Sequence, residues 1–232
     1  MAGEHRPRRE RHMPWFYYLA NWVLRRVLFP LFLRVEVRGL ERVPAEGPLI
    51  VAINHLSLLD PPLVGAYFPR DLEMMAKAEL FRRPVVGWIV RHYGAFPVER
   101  GEADLRALKH AMRALKQGRA ILMAPEGTRS KTHQLQRGKE GVALVAARTG
   151  AAVLPVALFG QEDWWRKLLR LRRPRVTVHF GEPIRLACDR KADRRTLQAM
   201  TDQIMRRLAG LLPPAYRGVY ADRANPADEQ IA

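Results

Sequence analysis

The chain has little cysteine, little acid and no long uninterrupted apolar run. Cys188 is its single cysteine, so neither a disulfide framework nor a cysteine metal cluster is expected, and a reducing compartment suits it. Asp and Glu number 23 against 40 Lys and Arg, for a formal net charge of +17. That imbalance points to acidic partners: nucleic acid, anionic lipid, or phosphorylated and acidic co-substrates. A spanning helix needs ~20 consecutive apolar residues. The apolar stretch that starts at Met13 is interrupted by Arg25-Arg26 and Pro30. No small-residue cleavage site follows it, so a secretory signal is not expected. Zinc-ligand spacing, an RNP-like aromatic stretch and a helix-turn-helix are all missing, which argues against nucleic acid despite the charge. Ser57 lacks the Gly-x-Ser-x-Gly surroundings of a strained nucleophile. The sequence has no internal repeat.

What is present is alternation of strands and helices. An apolar fraction of 48% over 232 residues gives one large domain enough material for a substantial core. Short strands are expected at Val35–Arg38, Leu49–Ile53, Leu72–Ala76, Ala120–Ala124, Val153–Phe159 and Arg175–Phe180. Helices are expected from Pro61 to about Tyr67, over Ala103–Gln117, Gly141–Arg148 and Asp193–Leu212. Val85–Val90 suits a strand or a buried helix, and Pro155 hints that its strand is an edge or carries a bulge. The pattern is α/β, with a mostly parallel central sheet flanked by helices. Residues 1–34 form a basic and aromatic N-terminal segment, 35–212 the α/β domain, and 213–232 a polar, flexible tail.

Trp15, Phe16, Tyr17, Tyr18 and Trp22, with arginines on either side, read as a helix lying in a membrane interface as an anchor. It would be monotopic, and the protein would sit on the cytoplasmic face with anionic lipid as partner. Trp164-Trp165-Arg166-Lys167-Leu168-Leu169-Arg170 reads as a second interfacial patch.

Chemistry concentrates where strands end. Asn54-His55 follows the Leu49–Ile53 run, and Asp60-Pro61-Pro62 starts a helix with aspartate as its N-cap and proline in the first turn. Five residues on a continuous helix would place His55 and Asp60 about 140° apart, at ~100° per residue. A loop folding back onto its own cap would instead bring them together. The carboxylate would hold one ring nitrogen and leave the other as a base. Pro125-Glu126-Gly127-Thr128-Arg129-Ser130 also follows a strand. Its glycine admits a ligand close to backbone, its hydroxyls and its guanidinium fork suit phosphate. Arg100 is a further phosphate candidate, with Arg137 and Lys139 as another basic point.

These stretches resemble the glycerolipid acyltransferases that acylate lysophosphatidic acid or glycerol-3-phosphate. Asn54-His55 with Asp60 looks like the family's first block. Gly94, Phe96 and Arg100 look like its second, Pro125–Ser130 like its third, and Leu154-Pro155-Val156 like its fourth. The match runs from about Val35 to Ile184. Ala124 departs from it, since the family usually has phenylalanine before Pro-Glu-Gly, and this bears on packing beneath the loop. The resemblance implies transfer of a fatty acyl group from coenzyme A or acyl carrier protein to a lysophospholipid hydroxyl. The acceptor would be 1-acyl-sn-glycerol-3-phosphate, giving phosphatidic acid, or else another lysolipid such as a lyso-ornithine lipid. It implies His55 and Asp60 as catalytic pair. Arg100, Glu126, Gly127, Thr128 and Arg129 would bind phosphate and glycerol, and Asn54, Ser130 and Pro155 would support them. No metal or resident cofactor is implied. A lipid or thioester hydrolase is the alternative enzyme class.

Overall fold

The computed structural model describes residues 13–99, 104–186 and 191–223. Seven strands form one sheet: β1 (Arg34–Arg38), β2 (Leu49–Ile53), β3 (Leu72–Lys77), β4 (Phe96–Val98), β5 (Ala120–Met123), β6 (Ala152–Phe159) and β7 (Arg175–Phe180). Their order is β1-β7-β6-β2-β5-β3-β4. Every neighbouring pair is parallel except β6 and β7, which run antiparallel. β2 and β5 are buried along their whole length because helices cover both faces, and this is why both read as continuous apolar runs and do not alternate.

The helices divide between the two faces. α3 (Asp60–Tyr67) and the N-terminal helix cover one face, where Leu63, Val64, Phe29, Leu33 and Phe180 form a core. α5 (Leu105–Lys116), α6 (Gly141–Thr149) and α8 (Arg194–Gly210) cover the other, around Leu115, Val145, Ile204 and Met205. The Asp104 carboxylate accepts from the N–H groups of Arg106 and Ala107, and Asp193 accepts from Thr196, which fixes the starts of α5 and α8.

The N-terminal segment is one helix with a wide turn in it: α1 (Trp15–Val23), a π-helical turn over Leu24–Leu28, and α2 (Phe29–Phe32). Tyr17, Phe29 and Leu33 are buried. The extra residue in the π turn, just before Pro30, brings Phe29 back onto the inward face. Trp15, Leu19, Trp22, Leu28 and Leu31 stay exposed on the outer side. No described helix is long and apolar enough to cross a membrane.

Three expectations need correction. Val85–Val90 lies in a helix, α4 (Pro84–His92), of which only Gly87 is buried; proline in its first turn favours helix over strand. Of the edge and the bulge expected at Pro155, the edge fails, because β6 pairs with β2 on one side and β7 on the other. The bulge fits, because residues 154–155 face 181–183 between the Val153–Ile184 bridge and the Val156–Phe180 pair. Its missing N–H falls between the Val153–Ile184 bridge and the β7 ladder, where Gly181 N–H donates to the Pro155 carbonyl at 2.9 Å. The stretch after Pro213 is not extended up to Arg223. It forms short 3-10 turns at Pro214–Tyr216 and Gly218–Arg223, buries Tyr220, and ties Leu135 N–H to the Tyr216 carbonyl at 2.9 Å.

Candidate active site

Parallel pairing places the C-terminal ends of β2, β5 and β6 side by side, and the loops that leave them build the site. Asp60 is its hub and is fully buried. Its Oδ2 accepts from His55 Nδ1 at 2.8 Å, Leu56 N at 2.7 Å and Ser57 N at 2.8 Å. Oδ1 accepts from Gln161 Nε2 at 2.8 Å. Asp60 is therefore the first residue of α3, not its cap: the carboxylate turns back onto the preceding loop. Two main-chain donors and one ring nitrogen on a single oxygen wrap that loop around the carboxylate. The chain between positions 55 and 60 can close only this way, since a helix would separate the pair.

Asn54 ties the end of β2 to β6. Its Nδ2 donates to the Leu158 carbonyl at 2.8 Å, and its Oδ1 accepts from Leu158 N at 2.7 Å. Glu126, on the loop after β5, accepts from His55 N at 3.0 Å with one oxygen and from Gln136 N at 2.9 Å with the other. Burial pushes the Glu126 carboxyl above its ordinary range, against the pull of those N–H donors. Ser130 N–H donates to the His55 carbonyl at 2.8 Å, while Ser130 Oγ accepts from Gln134 N at 3.2 Å. His55 is thus held on both sides of its main chain by the loop from β5.

Gly127, Thr128 and Arg129 are exposed at the tip of that loop. Gly127 has φ +69°, and a Cβ there would meet Lys139 Cδ at 3.0 Å, so the Lys139 stem lies against the glycine. Glu126 stands apart from them: both its oxygens are taken up by chain atoms, which leaves it a tie for the loop. Pro155 lies inside β6, three residues before the Leu158 that Asn54 grips. Arg100 lies outside the described residues, as does Cys188.

A cavity of about 430 Å³ opens beside His55. Ile53, Met75, Leu108, Leu122, Val142 and Leu197 give it an apolar wall, and Gly127, Lys139 and Glu140 a polar rim. Ala124 also lines it, so the small side chain at this position leaves space where a larger one would fill it. With Nδ1 on Asp60, the other ring nitrogen of His55 has no partner among the described residues. The arrangement suits a general base beside an apolar chain, with Gly127 and Lys139 at a rim that Glu99, Asp104 and Glu140 share. A second cavity of about 600 Å³ lies at the opposite end of the sheet, against Tyr17, Arg70, Glu73 and Arg119, away from the His55–Asp60 pair. Among the described residues no group of three or more His, Cys, Asp or Glu is placed to hold a metal ion.

Gln161 and Gln136 are site residues that sequence reading missed. Neither sits in a recognisable pattern. Gln161 has one weak signal, its place just beyond the end of the strand that contains Leu154-Pro155-Val156.

Residues 34–159, β1 through β6, match the family model described as Acyltransferase. The chain is 34% identical over 132 residues to the 1-acyl-sn-glycerol-3-phosphate acyltransferase LPAT1, chloroplastic, of Arabidopsis thaliana, covering 56% of this chain and 37% of that one. It is 31% identical to the lyso-ornithine lipid O-acyltransferase of Pseudomonas aeruginosa over 184 residues, 72% of this chain and 69% of the other. The chain spans less than half the length of the two plant chloroplast relatives, 37% and 48%. The crystal structure of the 1-acyl-sn-glycerophosphate acyltransferase PlsC from Thermotoga maritima superposes with a TM-score of 0.64 at 27% identity, covering 84% of this chain and 78% of that one.

Proposed function

Because the chain belongs to the acyltransferase family, we propose that it transfers a fatty acyl group from a thioester to the hydroxyl of a lysophospholipid, with 1-acyl-sn-glycerol-3-phosphate as acceptor. The observation that carries this reading is the His55–Asp60 pair at 2.8 Å, set beside an apolar cavity whose rim carries Gly127 and Lys139. The donor is acyl-coenzyme A or acyl carrier protein, and the product is phosphatidic acid.

Asp60, held by two main-chain N–H groups, fixes the tautomer of His55 with the proton on Nδ1. The free nitrogen, Nε2, takes the acceptor's hydroxyl proton as the oxygen attacks the thioester carbonyl. Collapse of the tetrahedral adduct breaks the carbon–sulfur bond, and the imidazolium returns the proton to the leaving thiolate. One ester and one thiol result, and no covalent enzyme intermediate is needed. General-base assistance of this kind contributes ~10²–10⁴-fold. Arg129 and Lys139, with the Gly127 backbone and Thr128 hydroxyl between them, supply the phosphate and glycerol contacts, and Arg100 joins them in this reading. Binding energy from that remote group is converted into alignment at the carbonyl. The apolar cavity receives the acyl chain.

The same reading places the enzyme on an anionic membrane surface, from which a lysolipid enters directly. Trp15, Leu19 and Trp22 on α1, Val85 and Trp88 on α4, and Leu58 next to the catalytic loop are exposed. Phe16 meets Trp88 edge-on with ring centroids 5.0 Å apart, which joins the α1 and α4 faces into one apolar surface. Exposed Arg25, Arg26, Arg82 and Arg83 border it. Apolar groups beside cations suit the interface of a negatively charged leaflet. A short helix, α7 (Trp164–Leu169), with Trp165 and Leu169 exposed, adds a second such patch.

A lyso-ornithine lipid is the second acceptor to test, on the strength of the Pseudomonas aeruginosa relative. Purified protein is mixed with acyl-coenzyme A or acyl carrier protein donor and either acceptor, and free thiol and lipid product are followed together. Thiol and phosphatidic acid rising in step, in wild type and not in His55→Ala, is the expected result. Thiol without acylated lipid would instead mean hydrolysis.

A further inference from the structure

We propose that Gln161 is a positioning residue for the transfer reaction: its side-chain amide holds the Asp60 carboxylate in the rotamer that aims Oδ2 at His55. The proposal rests on His55 acting as the base.

Asp60 Oδ2 is fixed by the 55–57 loop, but a carboxylate can still rotate about its Cβ–Cγ bond unless Oδ1 is also held. Among the described residues Gln161 Nε2, at 2.8 Å, is the partner of Oδ1. Both side chains are fully buried, so water cannot replace the amide. Gln161 Oε1 is buried with no hydrogen-bond partner among the described residues. Turning the amide over would set an oxygen against the carboxylate oxygen, so the charge of Asp60 dictates the orientation and leaves the carbonyl orphaned. Orphaned buried acceptors are rare in folded proteins and weaken stability. A residue chosen only for packing would be an apolar side chain of the same volume.

The backbone at Gln161 is held in place from several directions. Its carbonyl accepts from Trp164 N at 3.3 Å, at the start of α7. Gly160 N donates to Glu162 Oε2 at 2.8 Å, and Tyr216 Oη donates to Glu162 Oε1 at 2.6 Å. Lys167 Nζ donates to the Gly160 carbonyl at 3.3 Å. The amide is presented to Asp60 from a rigid corner between β6 and α7. It is 101 positions away in sequence, and β6 brings it near because it lies next to β2.

The test compares Gln161→Met, which keeps the length and removes the donor, with Gln161→Asn, which keeps an amide too short to reach Asp60. Both should lower kcat roughly tenfold to hundredfold, the rate equivalent of one hydrogen bond to a charged group. KM for acyl-coenzyme A and for lysophosphatidic acid should stay within about twofold, since Gln161 is fully buried and does not line the cavity beside His55. A double-mutant cycle separates positioning from packing. In an Asp60→Asn background, Gln161→Met should cost less than about twofold further, because there is no carboxylate left to orient. Thermal melting of every variant reports folding alongside. If both variants keep wild-type kcat, or if their losses multiply with that of Asp60→Asn, the positioning role is wrong. His55→Ala is run in parallel. Its retained activity would overturn the base reading itself, whereas a dead His55→Ala beside fully active Gln161 variants would overturn only the role of Gln161.

Discussion

The main-chain N–H of His55 donates to Glu126 Oε1 at 3.0 Å, across 71 positions of sequence. His55 is therefore positioned by the loop after β5 through its backbone, and by Asp60 through its ring. The two ends of β2 and β5 are locked as one unit before any substrate arrives. A Glu126→Gln side chain can replace only one of the two carboxylate acceptors, and its NH2 would face the Gln136 N–H. The variant should lose roughly 1–3 kcal/mol of stability. Its kcat should fall as the loop shifts, measurable by thermal melting and steady-state rates on one preparation.

The same carboxyl gives a pH prediction with a definite sign. Burial raises Glu126 above its ordinary value of 4.5, so the neutral form is favoured in the folded protein. The stability this contributes is complete below about pH 4.5 and is lost as pH rises through the folded value. Glu126→Gln has no such proton to lose. Denaturant melts from pH 4 upward should show wild type losing stability relative to the variant over that window. A constant difference would mean that the carboxyl titrates alike folded and unfolded.

Gly160 has φ +92°, and a Cβ there would lie 2.1 Å from the Arg175 carbonyl. Gly160→Ala must move the β6–α7 corner. A strained backbone position of this kind costs on the order of 1–3 kcal/mol, about 2–12 °C in melting temperature for a domain of this size. The shift displaces Gln161 as well, so kcat should fall at temperatures where the variant remains folded. Circular dichroism melts and initial rates at 20 °C separate the two effects.

Removing the N-terminal helix is a poor test of the membrane surface, because Tyr17, Phe29 and Leu33 belong to the core. Tyr18 also donates to Asp71 at 2.7 Å, and Tyr93 to Asn21 at 2.5 Å. Charge on the outer face alone is cleaner. Leu19→Glu with Trp22→Glu should reduce co-sedimentation with anionic vesicles by tenfold or more, since each apolar side chain withdrawn forfeits ~1.5–3 kcal/mol. Melting temperature should change little. Wild-type binding should also weaken with salt, as cations near a charged leaflet are screened.

Ala107, on α5, is buried in the wall of the 430 Å³ cavity. Ala107→Leu should discriminate by acyl length, reducing kcat/KM for long acyl thioesters more than for short ones by about 0.8 kcal/mol per methylene excluded. Equal losses at every chain length would place the acyl group elsewhere.

By itself the sequence determined the alternation of strand and helix, the apolar runs of β2 and β5, and the approximate extents of α5 and α8, though not that Asp104 and Asp193 cap them. These are local matters of periodicity. It also determined that His55, Asp60 and the Pro125–Ser130 loop follow strand ends, so that a parallel sheet would gather them at one edge. Only the tertiary structure decided which acceptor each polar group reaches. Asp60 reads as a cap and Glu126 as a substrate contact, yet both carboxylates are taken up by chain atoms that the strand order β6-β2-β5 brings together. The same order delivers Gln161 to Asp60, puts Pro155 inside the sheet, and folds residues 214–223 back against Leu135. A hydrogen bond has a reach of about 3 Å, and adjacent strands are ~4.8 Å apart. A partner 70 or 100 residues distant is therefore set by strand order, which local sequence does not encode.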